Sequence, residues 1–233
     1  ANHVRAYAKS IGIAAKTDRI DAKILAEFAV RMEIKAKIDT QEYEVLKNLL
    51  TRREQLIDMR LQERNRLETC DKLVERWVKK NIRQLTKQIE QIEEAIDHEL
   101  DQDEKLKKLY KLYSSIPGVG KITGLQLIVD LPELLFEHDK TLAALVGLAP
   151  WNRDSGNMVG RRRTHGGRTR IRGLLYMAAM VASRCNPELK AYYKKLKKKG
   201  KASKVALIAV AHKLLKILRS IAHRQTPWVA AVK

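Results

Sequence analysis

Hydrophobic side chains recur at helical spacing through most of the chain. Residues 18–32 place four apolar side chains on one helical face: Ile20, Ile24, Leu25 and Phe28. Residues 40–113 contain neither Pro nor Gly, which favours long uninterrupted helices. Within them, five apolar side chains recur at intervals of 3-4-3-4, as in the a/d seam of a coiled coil: Ile82, Leu85, Ile89, Ile92 and Ile96.

This seam is compatible with a helical hairpin or with an intermolecular coiled coil. Two helices of about 35 residues would each be about 50 Å long. In a hairpin we expect the turn near Lys79–Asn81. The many acidic residues of this region balance its basic ones, which favours contact between protein surfaces over contact with DNA. We therefore expect a homo-oligomer that assembles through this segment.

After Ser114 the pattern changes to shorter helices separated by turns. Helices are predicted at about residues 140–146, 168–184, 187–198 and 202–224. The longest irregular stretch lies between the first two, from Gly147 to Gly167. The fold class predicted for the whole chain is mainly α, with long coiled-coil helices followed by a basic helical domain.

The positive charge is confined to the C-terminal part of the chain. Residues 140–233 hold 22 Lys and Arg against 2 Asp and Glu, and residues 1–139 are balanced, so the formal net charge of +20 lies in the last 94 residues. Such a field favours binding to a polyanion, and nucleic acid is the main candidate. A soluble basic surface and an anionic membrane are the alternatives, but no apolar run reaches membrane length.

The aromatic and cysteine content narrows the mode of binding and the cellular compartment further. Aromatic residues make up only 5% of the chain, so a broad base-stacking platform is less expected than backbone binding. Cys70 and Cys185 lack the spacing of zinc ligands or of a disulfide framework. We expect reduced thiols and a reducing compartment, most simply a cytoplasm.

One candidate site is the turn Ile116–Lys121, which has the form of a helix-hairpin-helix motif. Gly118 and Gly120 allow a sharp bend and a close approach to a phosphate, and Lys121 adds a positive charge. Such a motif holds the DNA backbone without reading its sequence. The alternative is a plain turn between two core helices.

A second candidate lies in residues 151–172, where a Ser-Gly pair precedes a series of arginines. Clustered guanidinium groups bind phosphodiesters and stabilise charge that develops during attack. The arginines predicted to bind nucleic acid are Arg161, Arg162, Arg163, Arg168, Arg170 and Arg172. Ser155 is the candidate nucleophile, with Asp154 and His165 as candidate proton acceptors. The alternative for a Ser-Gly pair is an ordinary turn.

Asp18 and Asp21 form a third candidate site, since they lie three residues apart on one helical face. Two such carboxylates can share Mg²⁺, which prefers oxygen ligands. Alternatively, Asp18 is the N-cap of the helix, and Asp21 completes a pair that resembles a capping box.

Five segments in this order resemble the DEDD-type insertion-sequence transposases, a family that also includes the Piv and MooV DNA invertases. The similar segments together span nearly the whole chain and lie at residues 16–29, 115–124, 142–156, 166–179 and 186–218. The resemblance implies a transposase or site-specific recombinase with three regions. These are an RNase H-like (RuvC-type) remnant at residues 1–38, a coiled coil at 39–113 and a C-terminal transposase domain at 114–233.

The resemblance also implies roles for individual residues. Asp18 and Asp21 match the last two of four acidic ligands for Mg²⁺, and Ser155 matches a serine that becomes covalently joined to DNA. It further implies a structured guide RNA as a partner. The strands that carry the first Asp and Glu of the tetrad do not precede Asp18, so we expect metal-dependent catalysis to need residues beyond these 233. The alternatives are a non-catalytic architectural DNA-binding protein and a Holliday-junction-type metal nuclease that uses water.

Overall fold

The computed structural model describes residues 2–13, 17–31, 43–151 and 163–230. The described chain is almost entirely helical, so the predicted mainly α fold is confirmed. It divides into two compact units, Ala1–Asp39 and Thr40–Lys233, which are described separately. No helix in these four ranges is both long enough and apolar enough to cross a bilayer.

The first unit contains helices α1 (Asn2–Ser10) and α2 (Asp18–Arg31). The Tyr7 ring meets the Phe28 ring edge-on, with 5.6 Å between the centroids. The guanidinium of Arg31 lies over the same Tyr7 ring, 5.8 Å from its centroid. Aromatic and cation–π contacts therefore join the two helices. The predicted helix at residues 18–32 is present as far as it is described, and Met32 lies outside the described residues.

The second unit begins with an antiparallel hairpin of α3 (Glu44–Thr69) and α4 (Lys72–Gln102). Arg53 of α3 donates to Glu93 of α4, with Nε 2.7 Å from Oε1, and Arg60 lies opposite Thr86. The predicted seam lies in this interface, where Ile89 and Ile96 are buried and its other members are half-buried. The hairpin alternative thus describes this chain, and self-association stays a prediction.

The position of the hairpin turn was predicted wrongly. Lys79–Asn81 lie inside α4, and the turn is at Cys70 and Asp71, which both adopt extended backbone. Two extended residues are enough to end one helix and start the next. Neither is Gly or Pro, so the usual sequence signal of a turn is missing there.

The remainder of the second unit is a helical body around α10. It contains α5 (Glu104–Ser114), α6 (Lys121–Asp130), a 3₁₀ turn (Pro132–Leu135), α7 (Asp139–Val146), α8 (Thr169–Cys185), α9 (Pro187–Lys198) and α10 (Ser203–Arg224). Helix α10 packs on α5, α7, α8, α9 and the 3₁₀ turn, and its inner face is buried from Ala206 to Ala222. The base of the hairpin joins the same core through Leu46, Leu50, Ile96 and Leu100.

The turn between α5 and α6 packs directly on α8. Gly118 has φ +106°, and a Cβ atom at this position would lie 2.6 Å from Cα of Ala182. The side-chain oxygen of Ser115 accepts a hydrogen bond from the Trp228 amide at 2.8 Å, which attaches the C-terminal segment to the same turn. This geometry gives Gly118 a packing role, as the plain-turn alternative requires.

Candidate active-site loop and nucleic-acid interface

Ser155 is one of the 11 residues that connect Trp151 to Arg163; these residues, 152–162, lie outside the described part of the chain, and we call them the Ser155 loop. The structure does describe both ends of this loop. Strand β1 (Pro150–Trp151) pairs antiparallel with strand β2 (Arg163–Thr164), with Trp151 opposite Arg163. Arg161 and Arg162 also lie outside the described residues, as does Asp154, and of Arg163 only the backbone is described. The ladder brings the two loop ends side by side.

Two glycine turns, one before β1 and one after β2, contact each other through their backbones. Gly147 and Gly167 have φ +77° and +66°, a conformation that favours glycine. A Cβ atom at Gly167 would lie 2.6 Å from the Leu145 carbonyl oxygen and would also overlap the backbone of Gly147. The Arg168 amide donates to that Leu145 oxygen at 2.8 Å. We call the strand pair and these two glycines the loop base.

Arg172 fastens the two turns of the loop base to each other. Its guanidinium donates to the Gly166 carbonyl, and the same nitrogen lies 3.5 Å from the Gly147 carbonyl oxygen. Since one cation bridges carbonyl groups on both sides of the loop, the loop ends are held in one arrangement. Sequence reasoning missed Gly147 and Gly167 as site residues, although the Gly166-Gly167 pair was a visible turn signal.

Arg168 is held by acidic and carbonyl groups of the protein itself. Its two terminal nitrogens form a bidentate pair with Glu133, at 2.8 and 2.5 Å, and one of them also donates to the Asp130 carbonyl at 2.7 Å. Bidentate guanidinium–carboxylate pairs are among the stronger polar contacts in proteins. This pair positions the start of α8, which follows the loop base directly.

Arg170 connects α8 to two other elements. One nitrogen lies 3.2 Å from Oδ2 of Asp130 at the end of α6, and the other lies 2.6 Å from Oε2 of Glu54 on α3. Gln126 also donates to Asp130, at 2.6 Å. Three of the arginines predicted to bind nucleic acid therefore have partners within the protein, and their contact with phosphate stays a prediction.

In the predicted helix-hairpin-helix turn, too, some residues contact the protein itself and another is left open. Gly118 packs on α8, and Lys121 forms an ion pair with Asp97 of α4. Gly120 has no atom within 4 Å of the place a Cβ would occupy, so this side of the turn is open. Contact between the turn and a phosphate backbone remains a prediction.

Asp18 and Asp21 lie one turn apart at the start of α2. The hydroxyl of Thr17 caps this helix by accepting from the Ile20 amide at 3.4 Å, and its carbonyl accepts from the Asp21 amide at 2.9 Å. The interpretation of Asp18 as the N-cap is therefore wrong. Neither carboxylate forms an ion pair with another described residue.

The two carboxylates are suitable oxygen ligands for a divalent metal but do not make a complete site. No group of three or more His, Cys, Asp or Glu that could hold a metal occurs within the described ranges. Mg²⁺ usually takes one or two carboxylates together with water or phosphate oxygens. The pair therefore fits a partial metal site that needs further ligands.

Several cations at the end of α8 and along α9 have no acidic partner among the described residues. Arg184, Lys190, Lys194, Lys195 and Lys198 are exposed, and none forms an ion pair with a described residue. The acidic residue of α9, Glu188, pairs with Lys213 of α10 at 2.7 Å. Within residues 163–230, unpaired positive charge thus lies on α8 and α9, whereas Arg168, Arg170 and Arg172 are bound within the protein.

Comparison with known proteins gives two matches to transposase families. A family described as "Transposase IS116/IS110/IS902 family" matches residues 110–194, and a transposase domain of the DEDD type from IS110 elements matches residues 1–75. The first match contains the loop base, and the second contains Asp18 and Asp21. Both descriptions place the chain among enzymes that move DNA.

Individual relatives support the same class. Pilin gene-inverting proteins of Moraxella bovis and Moraxella lacunata are each 31% identical over 231 residues, which cover 97% of this chain and 72% of the relative. An uncharacterized 42 kDa protein of insertion element IS900 from Mycobacterium paratuberculosis is 32% identical over 107 residues, which are 45% of this chain and 27% of the relative. The chain belongs to the IS116/IS110/IS902 family of transposases, which confirms the resemblance to DEDD-type transposases.

Proposed function

We propose that the chain carries the strand-exchange chemistry of a DNA transposase or invertase and that Ser155 is its nucleophile. The observation that carries the proposal is the loop base: paired strands, two interlocked glycine turns and Arg172 hold the ends of the Ser155 loop on a helical body. A nucleophile needs a held position before it can react with a bound phosphate. The family membership supplies the reaction class.

In the proposed reaction, the Ser155 oxygen attacks the phosphorus of a DNA phosphodiester. A new oxygen–phosphorus bond forms, the bond to one deoxyribose oxygen breaks, and the serine proton is transferred to a nearby base, with Asp154 and His165 as candidates. The broken DNA end is then joined to Ser155, and attack by a deoxyribose oxygen of another strand releases the serine. Arg161, Arg162 and Arg163 bind the phosphate and stabilise its developing charge.

We further propose that Asp18 and Asp21 contribute to a Mg²⁺ site, because the DEDD family typically uses a divalent metal. When bound, Mg²⁺ neutralises and orients a phosphate. The two carboxylates lie on one turn of α2 without ion-pair partners among the described residues, which leaves their oxygens available as ligands. The remaining ligands would come from other residues or from the DNA.

The metal proposal is tested with Asp18→Asn and Asp21→Asn in the whole gene product, including any residues that precede Ala1. We expect recombination to fall to background in both variants, since an amide keeps the size of the side chain but loses the charge that Mg²⁺ requires. DNA binding, measured by fluorescence anisotropy, should stay close to wild type. Thr17→Val is the matched control, because it removes the helix cap and leaves both carboxylates. If Asp18→Asn and Asp21→Asn lower the melting temperature as much as Thr17→Val does, and recombination falls in parallel in all three, the two carboxylates serve the helix and not a metal.

A structured guide RNA and a second copy of the chain are the proposed partners. The exposed cations of α8 and α9 support binding to an RNA or DNA backbone. Self-association is supported by apolar side chains at the end of the hairpin, where Leu73 is 84% and Trp77 is 63% exposed. Large exposed apolar side chains of this kind are typical of protein interfaces.

The oligomer proposal predicts that Leu73→Ser combined with Trp77→Ser shifts the protein towards monomer in sedimentation velocity. The seam residues of α4 are already packed within one chain, and the tip of the hairpin carries two of the most exposed large apolar side chains among the described residues. Val45→Ser is the control, because Val45 is 59% exposed at the other end of α3. An unchanged oligomer distribution in the double variant would rule out the hairpin tip as the interface.

A further inference from the structure

We infer that a cleft between α8 and α9 is a subsite for one unpaired nucleotide of a nucleic-acid strand. The cleft has a volume of about 420 Å³, and its lining includes Met180, Ser183 and Leu207 together with three cations, Arg184, Lys190 and Lys194. Tyr193 completes the lining. We call it the lysine cleft. The inference rests on the proposed nucleic-acid interface and adds a particular site to it.

The helix periodicity explains how these side chains come together. Met180, Ser183 and Arg184 are spaced i, i+3, i+4 on α8, and Lys190, Tyr193 and Lys194 repeat that spacing on α9. The two helices pack against each other, and α10 supplies Leu207 between them. Asn186 and Pro187 start α9 directly after α8, because the Asn186 side chain caps α9 by accepting from the Leu189 amide at 3.1 Å.

The charge of the lysine cleft is not neutralised from within. No acidic residue lines it, and its three cations form no ion pair with the described part of the chain. Residues 140–233 contain only two acidic residues, and the described one, Glu188, is paired with Lys213. Three unpaired cations around one cleft favour an anionic ligand, and phosphate groups meet that requirement.

The rest of the lining favours a nucleotide over a free phosphate. Leu207 is buried and Met180 is half-buried, so they offer apolar surface. Ser183 does not compete for the ligand as a donor, because its hydroxyl donates to the Met180 carbonyl at 2.8 Å. Tyr193 is half-buried and supplies an aromatic ring, on which a base can stack whatever its identity. Stacking requires a base that is not paired, so the ligand is a single-stranded segment of RNA or DNA.

The test compares two charge-matched double variants and one neutral variant in the whole protein. The probes are a labelled single-stranded RNA, a single-stranded DNA and a duplex DNA of equal length. Lys190→Gln with Lys194→Gln removes two cations from the cleft. Lys195→Gln with Lys198→Gln removes two exposed cations of the same helix that do not line it. Tyr193→Ala removes the ring without changing charge, and Tyr193→Phe keeps the ring.

We expect the cleft double variant to weaken single-strand binding at least tenfold more than the control double variant. It should also reduce the salt slope for single strands by about 1.4, since each phosphate that the protein neutralises on a single strand accounts for about 0.7 of that slope. Tyr193→Ala should weaken single-strand binding about tenfold or more and leave duplex binding unchanged, whereas Tyr193→Phe should bind like wild type. The strand whose affinity falls further, RNA or DNA, identifies the source of the nucleotide.

Two results separate failure of the cleft from failure of the function. In the first, wild type binds nucleic acid, both double variants lose affinity equally, and Tyr193→Ala binds single strands normally. Binding would then depend only on the general positive charge of the region, and the cleft inference would be overturned. If wild type binds none of the three probes, the proposed nucleic-acid function fails with it. Circular dichroism of each variant checks folding, and Tyr193→Phe keeps the test valid if the alanine variant is unfolded.

Discussion

Replacing Ser155 with alanine is expected to abolish strand exchange while DNA binding and folding stay close to wild type. The change removes one oxygen from a loop whose ends are held by contacts that Ser155 does not make. Loop substitutions of this kind usually cost less than about 0.5 kcal/mol in stability. The loss of activity should therefore be several orders of magnitude, since no other group of the loop is proposed to attack the phosphate.

The measurement is recombination on a plasmid carrying the element ends, together with a search for protein–DNA adducts on denaturing gels. Wild type should form an adduct that maps to Ser155, and Ser155→Ala should form none. Asn157→Ala is the matched control in the same loop and should keep activity. Ser155→Cys should retain at most a trace, because a thiol is a stronger nucleophile but differs in size. Strand exchange by Ser155→Ala would exclude the covalent mechanism and point to metal-activated water.

Gly118→Ala is expected to destabilise the protein more than Gly120→Ala, the other glycine-to-alanine substitution in the turn between α5 and α6. The added Cβ would lie 2.6 Å from the Ala182 Cα and 2.7 Å from its nitrogen, and backbone atoms of a helix cannot move aside easily. The residue would also have to keep φ +106°, which side chains rarely adopt. Overpacking and backbone strain together should cost about 2–5 kcal/mol in the free energy of unfolding.

The neighbouring glycine provides the control for this prediction. Gly120 has φ −79°, and nothing lies within 4 Å of a Cβ built on it, so Gly120→Ala should change stability by less than about 1 kcal/mol. Urea unfolding followed by circular dichroism measures both variants. Equal stability of the two would show that the turn does not pack on α8 as tightly as described. A loss of DNA binding in a folded Gly120→Ala protein would instead support contact between the turn and a phosphate backbone.

Helices α7 to α10 of the C-terminal body could be predicted from sequence to within about one residue at either end, whereas no bounds were predicted for α5 and α6. Their limits carry local signals, of which the Asn186–Pro187 pair at the start of α9 is the clearest. The hairpin turn carries no such signal, because Cys70 and Asp71 are compatible with helix and only tertiary packing decides where the chain reverses. Apolar periodicity thus predicted the packed faces of the hairpin but not its length.

The arginines show a different limit of sequence reasoning. A run of guanidinium groups after a Ser-Gly pair predicts phosphate binding, and no local feature reveals that Arg168 pairs with Glu133 or that Arg170 reaches Glu54. Those carboxylates come from elements 35 and 116 residues earlier in the chain, and only the fold brings them together. The local pattern made Ser155 and the Asp18–Asp21 pair candidate sites with a structural alternative for each, and the family resemblance then favoured the functional role. The loop base that supports Ser155 became visible only in three dimensions.

The loop base has a consequence for how this family can change over evolutionary time. The contacts that hold it in the described part of the chain come from Gly147, Gly167 and Arg172, which lie outside residues 152–162. A loop anchored by a closed strand pair can gain residues at low cost, since each doubling of loop length adds only about 0.6 kcal/mol of closure entropy. The position between Trp151 and Arg163 is therefore one at which the chain can accept insertions. Members of the family can therefore differ in the length of this segment while the helical scaffold stays the same.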